Sequence, residues 1–289
     1  MTSVSPLRID AHQHFWDRQK PEFDYSWLDA TTHQTIAESH LPVDLQPLLE
    51  DNQLDGSIVV QTQHCLAEND WALDLCESNP WILGVVGWVD LASDDCEQQV
   101  ERYRSDSRFV GIRHVVQDEP DDFLIHPEVL RGLNTLQRMQ VPFDLLVYPR
   151  QLKHGLTVAQ KYPDLKIVLN HLGKPNIKQG KAAAPDWSDS FLELAKFPNV
   201  FCKLSGLATE ADWQTWSPEQ LTPYLETAIN AFGVQRCMFG SDWPVCRLAG
   251  SYRDIYSTFD RFAQNLTQEE QEYVFGLTAC RFYGIDTGS

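Results

Sequence analysis

The sequence predicts an α/β fold, a single (β/α)8 barrel of the TIM type spanning residues 1–289, and three observations predict it. Eight short apolar, β-rich runs alternate with amphipathic helical stretches along nearly the whole chain. The runs are close to continuous in Val, Ile and Leu, as in parallel strands covered by helices, and lack the strict alternation of strands with one wet face. The units are evenly spaced, without linker or low-complexity stretch, and 289 residues is an ordinary length for one such barrel. A doubly wound open sheet is the runner-up; eight regular units favour closure.

Taken in order, the first strand is expected over 7–15 (LRIDAHQHF) and the second over 56–63 (GSIVVQTQ), separated by the helical stretch VDLQPLLEDNQL. Strands over 82–90 (ILGVVGWVD) and 109–116 (FVGIRHVV) follow, flanked by NDWALDLCESN and EQQVERYRSD. The fifth and sixth lie over 141–148 (VPFDLLVY) and 166–173 (KIVLNHLG), after PEVLRGLNTLQRMQ and QLKHGLTVAQKYP. The last two, 200–207 (VFCKLSGL) and 237–244 (CMFGSDWP), are separated by PEQLTPYLETAINAFG, with SDSFLELAKF before them and YRDIYSTFDRFAQNL after. The longest irregular segments, about 17–42 and 174–187, both follow strands that carry histidine.

Composition narrows the function. Hydrophobic residues make up 43% of the chain and aromatics 11%, enough for a large core. A formal charge of -18 disfavours nucleic acid and anionic membrane surfaces as partners. The start, MTSVSP, has neither the basic nor the apolar region of a signal peptide, and no apolar run approaches the roughly 20 residues of a membrane span. Seven scattered cysteines without a CxxC pair argue against a disulfide framework and fit a reducing cytoplasm. HExxH, GxSxG, P-loop and GxGxxG patterns are absent.

Barrel active sites form at the C-terminal ends of the strands, and those ends are unusually polar here. His12 and His14 stand two apart in the first strand, so both imidazoles are expected on one face. The fourth strand carries Arg113 and His114, the fifth ends at Tyr148, the sixth contains His171 and the seventh Lys203. The eighth ends with Asp242 before Trp243 and Pro244. His12, His14, His171 and Asp242 together are a ligand set for one Zn²⁺ or Mn²⁺.

RIDAHQHFWD, LNHLGKP and FGSDWPV resemble the first-, sixth- and eighth-strand signatures of the amidohydrolase superfamily. GVVGWVDL, GIRHVVQDEPDDF, FDLLVYPRQL, FCKLSGLATEADW and GSDWPVCRLAGSY resemble its sugar-lactonase branch, whose members act on L-fucono-, L-rhamnono- and L-galactonolactone. The resemblance runs from about residue 7 to the closing TACRFYGI. It implies an amidohydrolase-type barrel that hydrolyses an aldonolactone such as L-fuconolactone to its aldonic acid, a step of L-fucose or L-rhamnose catabolism. It also implies that no cofactor is required, one divalent cation being optional. The fourth strand lacks the bridging lysine of two-metal relatives, and Asn170 stands where relatives commonly have Asp.

On this reading Asp242 is the general base on water. His12, His14 and His171 orient it and donate hydrogen bonds to the developing oxyanion. His114 or Tyr148 is the candidate that protonates the ring oxygen. Arg113, Lys203, Trp16, Tyr148 and Trp243 are expected to bind substrate, Trp88 to pack, and His64 is open between pocket and surface. The partner is a small sugar lactone, and a homo-oligomer is compatible with the sequence. The enzyme rival is a metal-dependent decarboxylase or other hydrolase of the superfamily; the non-enzyme rival is a barrel that only binds sugar acids.

Overall fold

The computed structural model describes residues 6–29, 31–180 and 185–286. Eight strands form one parallel sheet in sequential order: β1 (Ile9–Gln13), β2 (Gly56–Val60), β3 (Ile82–Gly87), β4 (Phe109–Val115), β5 (Phe143–Leu146), β6 (Ile167–Leu169), β7 (Val200–Leu204) and β8 (Cys237–Phe239). Helices α1 (Pro42–Asp51), α2 (Leu66–Ser78), α3 (Cys96–Arg104), α4 (Pro127–Met139), α5 (Leu152–Lys161), α6 (Pro185–Ala195), α7 (Pro218–Phe232) and α8 (Tyr252–Ala263) follow the strands in alternation. α9 (Gln268–Glu272) and α10 (Thr278–Tyr283) end the described chain. The chain thus forms the (β/α)8 TIM barrel that its sequence predicts. No described helix is long and apolar enough to cross a membrane.

Local chemistry explains the elements. β2 reads GSIVV and is buried at all five positions, as a strand sandwiched between barrel interior and helices must be. α4 buries Val129, Leu133, Leu136 and Met139, a stripe at helical spacing that faces the sheet. Proline opens α1, α4 and α7, where its missing N–H costs nothing, and Ser251 with Asp254 forms a reciprocal cap on α8.

All eight expected strands exist, but several stop short of their motifs. The run 166–173 keeps only Ile167–Leu169 as strand; His171, Leu172, Gly173 and Lys174 all take left-handed backbone (φ 52 to 70°). The run 237–244 keeps only Cys237–Phe239, and Asp242 is also left-handed at φ 61°. These residues leave the ladder so that their side chains can turn into the barrel mouth. Such conformations cost about 1–3 kcal/mol each and persist where the surroundings over-determine them. Among its described residues the segment 17–42 carries a short 3-10 turn over Gln34–Ile36, a bridge from His40 to Trp16 and the first residue of α1, and residues 181–184 of the other lie outside the described range.

The seam between β8 and β1 closes without a regular ladder. One bridge joins Gln13 to Trp243, with the His14 amide donating to the Trp243 carbonyl (2.7 Å) and the Asp242 amide to the His12 carbonyl (2.8 Å). The carboxylate of Asp10 supplies further rungs, accepting from the Ser241 amide (2.8 Å), the His12 amide (3.2 Å) and the Tyr252 hydroxyl (3.0 Å). Two halves of the site, His12 and Asp242, are thereby tied together through the backbone.

Candidate active site

Three imidazoles converge on one carboxylate at the C-terminal mouth. The Nε2 atoms of His14, His12 and His171 stand 3.4, 3.7 and 3.7 Å from Oδ1 of Asp242. All four side chains are buried, between 0 and 4% exposed as residues. Close packing holds them: a Cβ on Gly206 would lie 2.5 Å from Nδ1 of His171, and one on Gly240 would lie 2.6 Å from Cβ of His12. Gly206 also has φ +64°, so both space and backbone require glycine there.

Proton placement follows from the partners. Nδ1 of His14 lies 2.7 Å from the carbonyl oxygen of Val60, which can only accept, so the ring proton is on Nδ1 and the Nε2 lone pair faces Asp242. His171 pairs through Nδ1 with the Ser205 hydroxyl at 2.8 Å, which steers its Nε2 inward too. His12 Nε2 stands 3.2 Å from His14 Nε2 and 3.3 Å from the Arg113 guanidinium, while its Nδ1 is buried without a partner. Burial pushes all three imidazoles below their ordinary range, His171 to about 3, with Asp242 pulling His14 and His171 the other way and the Lys203 charge adding to the depression of His12. Burial works to raise Asp242, but its pairing with His171 and His14 and the Lys174 charge outweigh it, and the carboxyl lies below its ordinary value. At neutral pH the cluster is one carboxylate facing three neutral rings.

The expectation that His14 donates to an oxyanion is corrected here. Its one proton is committed to Val60, so at neutral pH Nε2 can only accept or ligate.

Acceptors aimed at one point suit a cation. Zinc held by four ligands at roughly 2.0–2.1 Å has tetrahedron edges of about 3.4 Å, close to the separations found. The ligating atoms of His12, His171 and Asp242 all lie within 4.8 Å of one another, and Val60 and Ser205 supply the outer hydrogen bonds that metal-binding histidines require. The donor set fits one divalent ion.

The cavity above measures about 650 Å³ and is lined by His14, His171, Asp242, Arg113 and Lys174 on its inner side. Its outer side carries Glu22, Asp24, Asp118 and Glu119, an acidic rim. Arg113, pushed down to about 10 by burial and so still a cation at neutral pH, lines the cavity. Most of its donors go to Gln61, through Nε (3.1 Å) and Nη2 (3.0 Å) on Oε1 and a further bond to the Gln61 carbonyl.

Several expected substrate contacts are elsewhere. Lys203 is fully buried inside the barrel, 2.6 Å from Oδ2 of Asp144, whose other oxygen accepts from Tyr283 at 2.7 Å; burying so large a cation demands this pairing, and none of it reaches the cavity. Trp243 packs against Phe15 and His40 with 2% exposure. Trp16 does line the cavity, but it is buried, its Nε1–H goes to the Glu38 carbonyl (2.7 Å), and it props Trp27 edge-on at 5.5 Å. Trp27, 40% exposed, is the more open of the two tryptophans that line the cavity. Tyr148 lines an adjoining cavity of about 880 Å³, with Lys174 common to both. His114 lies behind the wall, with Trp88 Nε1–H donating to its Nδ1 (3.1 Å) and Glu119 2.9 Å from its Nε2, so its proton is held away from any ring oxygen.

Sequence reasoning did not single out Lys174, Trp27, Glu119 or Ser205. Lys174 lies inside the NHLGKP motif, three residues past His171, and Ser205 inside KLSG, two residues past Lys203. Trp27 stands in an irregular segment where no periodicity marks a facing direction. Lys174 pairs with Glu210 at 3.2 Å and lies over the Tyr148 ring at 5.2 Å.

Comparison with known proteins adds a second line of observation. Residues 9–285 match the amidohydrolase family. The chain is 39% identical to an L-fucono-1,5-lactonase of Burkholderia ambifaria and 37% identical to one of Burkholderia multivorans, each alignment covering 98% of this chain and 97% of the relative. Among solved structures, an amidohydrolase from Burkholderia multivorans with bound zinc superposes with a TM-score of 0.91 at 38% identity, over 97% of this chain and 100% of that one.

Proposed function

We propose that this chain, which belongs to the amidohydrolase family, is a lactonase that opens a neutral sugar lactone of the L-fucono-1,5-lactone type to its aldonic acid. The observation that carries the reading is the convergence of three neutral imidazoles on an ionised Asp242 at the base of a cavity of about 650 Å³, in a chain so similar to two such lactonases. The acidic rim of Glu22, Asp24, Asp118 and Glu119 supports an uncharged substrate and an anionic product that is repelled on leaving.

Asp242 accepts the proton of a water held by the Nε2 lone pair of His14, and the water oxygen bonds to the lactone carbonyl carbon. Arg113 and Lys174 are the cations on the cavity wall and stabilise the developing oxyanion. Collapse of the tetrahedral intermediate breaks the ring C–O bond, and the proton held on Asp242 passes to the ring oxygen. This route replaces His114 and Tyr148 as acids, since neither lines the cavity. A lactone has a better leaving group than an amide, so the route needs little electrophilic help. When one divalent ion is bound by His12, His14, His171 and Asp242, it supplies Lewis-acid polarisation of a carbonyl or of water.

A metal-dependent decarboxylase has no observation in its favour beyond the shared barrel, and a barrel that only binds sugar acids predicts no turnover. A pH-indicator assay of the purified chain on a panel of aldonolactones, with and without chelator, tests the reading. Acid release on L-fucono-1,5-lactone that persists with chelator is expected; no release from any lactone would overturn it.

A further inference from the structure

The cavity wall built past β2, β3 and β4 carries a second cluster, His64, His114 and Glu119, whose nitrogen and oxygen atoms lie within 4.8 Å of one another. Its protons are assigned by its partners. Val115 N–H donates to Nε2 of His64 (3.1 Å), so the proton of a neutral ring is on Nδ1. The indole N–H of Trp88 can only donate, and it points at Nδ1 of His114 (3.1 Å), so that ring carries its proton on Nε2, where Glu119 Oε1 accepts it at 2.9 Å.

Both rings are neutral: desolvation of the ring takes His64, part of which stays exposed, down to about 3 with the Arg113 charge adding to the effect, and burial lowers His114 despite Glu119. Ring stacking holds them in place: His64 lies parallel to Trp88 (5.7 Å, 12°) and 4.1 Å from His114, which stacks on Phe123 (4.6 Å, 22°). Below, the buried Glu68 accepts from the Thr62 and Gln63 amides (2.9 and 2.8 Å) and fixes the loop that carries His64.

A cation would need lone pairs where this cluster presents N–H groups. What it offers the cavity is one donor, the Nδ1–H of His64, beside one acceptor, the Glu119 oxygen that His114 leaves free; both residues line the cavity. A donor next to an acceptor is what a hydroxyl requires.

We propose that His64 and Glu119 form a subsite for one ring hydroxyl of the lactone, with His114 and Trp88 as positioning residues that hold the donor and the acceptor in register. The inference rests on the lactonase reading and deepens it by naming what selects the sugar.

The test compares full-length wild type, His64→Phe, His64→Asn and Glu119→Ala on L-fucono-1,5-lactone and its monodeoxy analogues, with melting curves for each variant. His64→Phe and Glu119→Ala should each lose about tenfold in kcat/KM on the full lactone, mostly through KM, the worth of a hydrogen bond to a charged or well-held group. On the one analogue that lacks the recognised hydroxyl, the variants and wild type should agree within about twofold, because the interaction is already gone. His64→Asn, which returns an N–H near the Nδ1 position, should recover part of the loss. Equal losses on every analogue would overturn the subsite while leaving the lactonase reading intact; a wild type inactive on all of them would overturn that reading. A second zinc equivalent that disappears in His114→Phe would also overturn the subsite.

Discussion

Two clusters of imidazole and carboxylate groups flank one cavity: His12, His171 and Asp242 at the ends of β1, β6 and β8, and His64, His114 and Glu119 at the ends of β2 and β4. By composition and spacing they are interchangeable, since both bring two imidazoles and a carboxylate within 4.8 Å. They differ in what stands behind the rings. The first, extended by His14, is backed at His14 by an acceptor, the Val60 carbonyl, so a lone pair faces inward there, and at His171 by the Ser205 hydroxyl, which can take either role. The second is backed by donors, Trp88 Nε1–H and Val115 N–H, so N–H groups are left over. The partner on the far nitrogen decides whether a histidine serves as ligand and base or as donor.

The largest effect expected from this contrast is at its centre. Asp242→Asn keeps shape but cannot take the proton, and kcat should fall about 10²–10⁴-fold while lactone still binds. Near-normal turnover would move the base elsewhere and erase the distinction between the clusters.

Ser205→Ala probes the backing of the catalytic cluster. Removing the partner of His171 Nδ1 should lower zinc affinity or turnover about 10–100-fold, the usual cost of an outer hydrogen bond at such sites. An unchanged variant would mean that packing by Gly206 alone orients the ring.

The pH profile separates ionised from neutral roles. A carboxyl held below its ordinary value is the active form above that value and is lost only as pH falls through it; His171, at about 3, is likewise neutral above that point. The acid limb of kcat/KM should therefore lie below about pH 4, and a limb near the ordinary histidine value of roughly 6.5 would assign the work to a protonated imidazole.

The smallest effect is the most direct conversion of one cluster into the other. Trp88→Phe removes the donor to His114 Nδ1 and lets the proton move there, freeing Nε2 toward Glu119. Isothermal titration should then detect a second, weaker zinc site beside the single site of the wild type. Its absence would show that the Trp88 bond does not control the tautomer.

The amino-acid sequence by itself determined the barrel and the strand-end residues His12, His14, His171 and Asp242 that the fold brings together. Eight apolar runs at regular spacing dictate a parallel sheet because each strand must be buried on both faces, and polar residues at the strand ends stand out against that background. His12, His14, His171 and Asp242 were legible for that reason. The tertiary structure decided which polar residues reach the cavity and where their protons lie. Lys203 and Trp243 share the strand-end positions of the residues that line the cavity, yet they face Asp144, and Phe15 with His40. The strand spans also overran their ends, because the turn into left-handed backbone at His171 and Asp242 is set by packing and not by local propensity. Periodicity reports which face a residue takes; only the folded chain brings Val60 to His14 and Trp88 to His114, and those contacts over 46 and 26 residues of sequence separation set the chemistry of each ring.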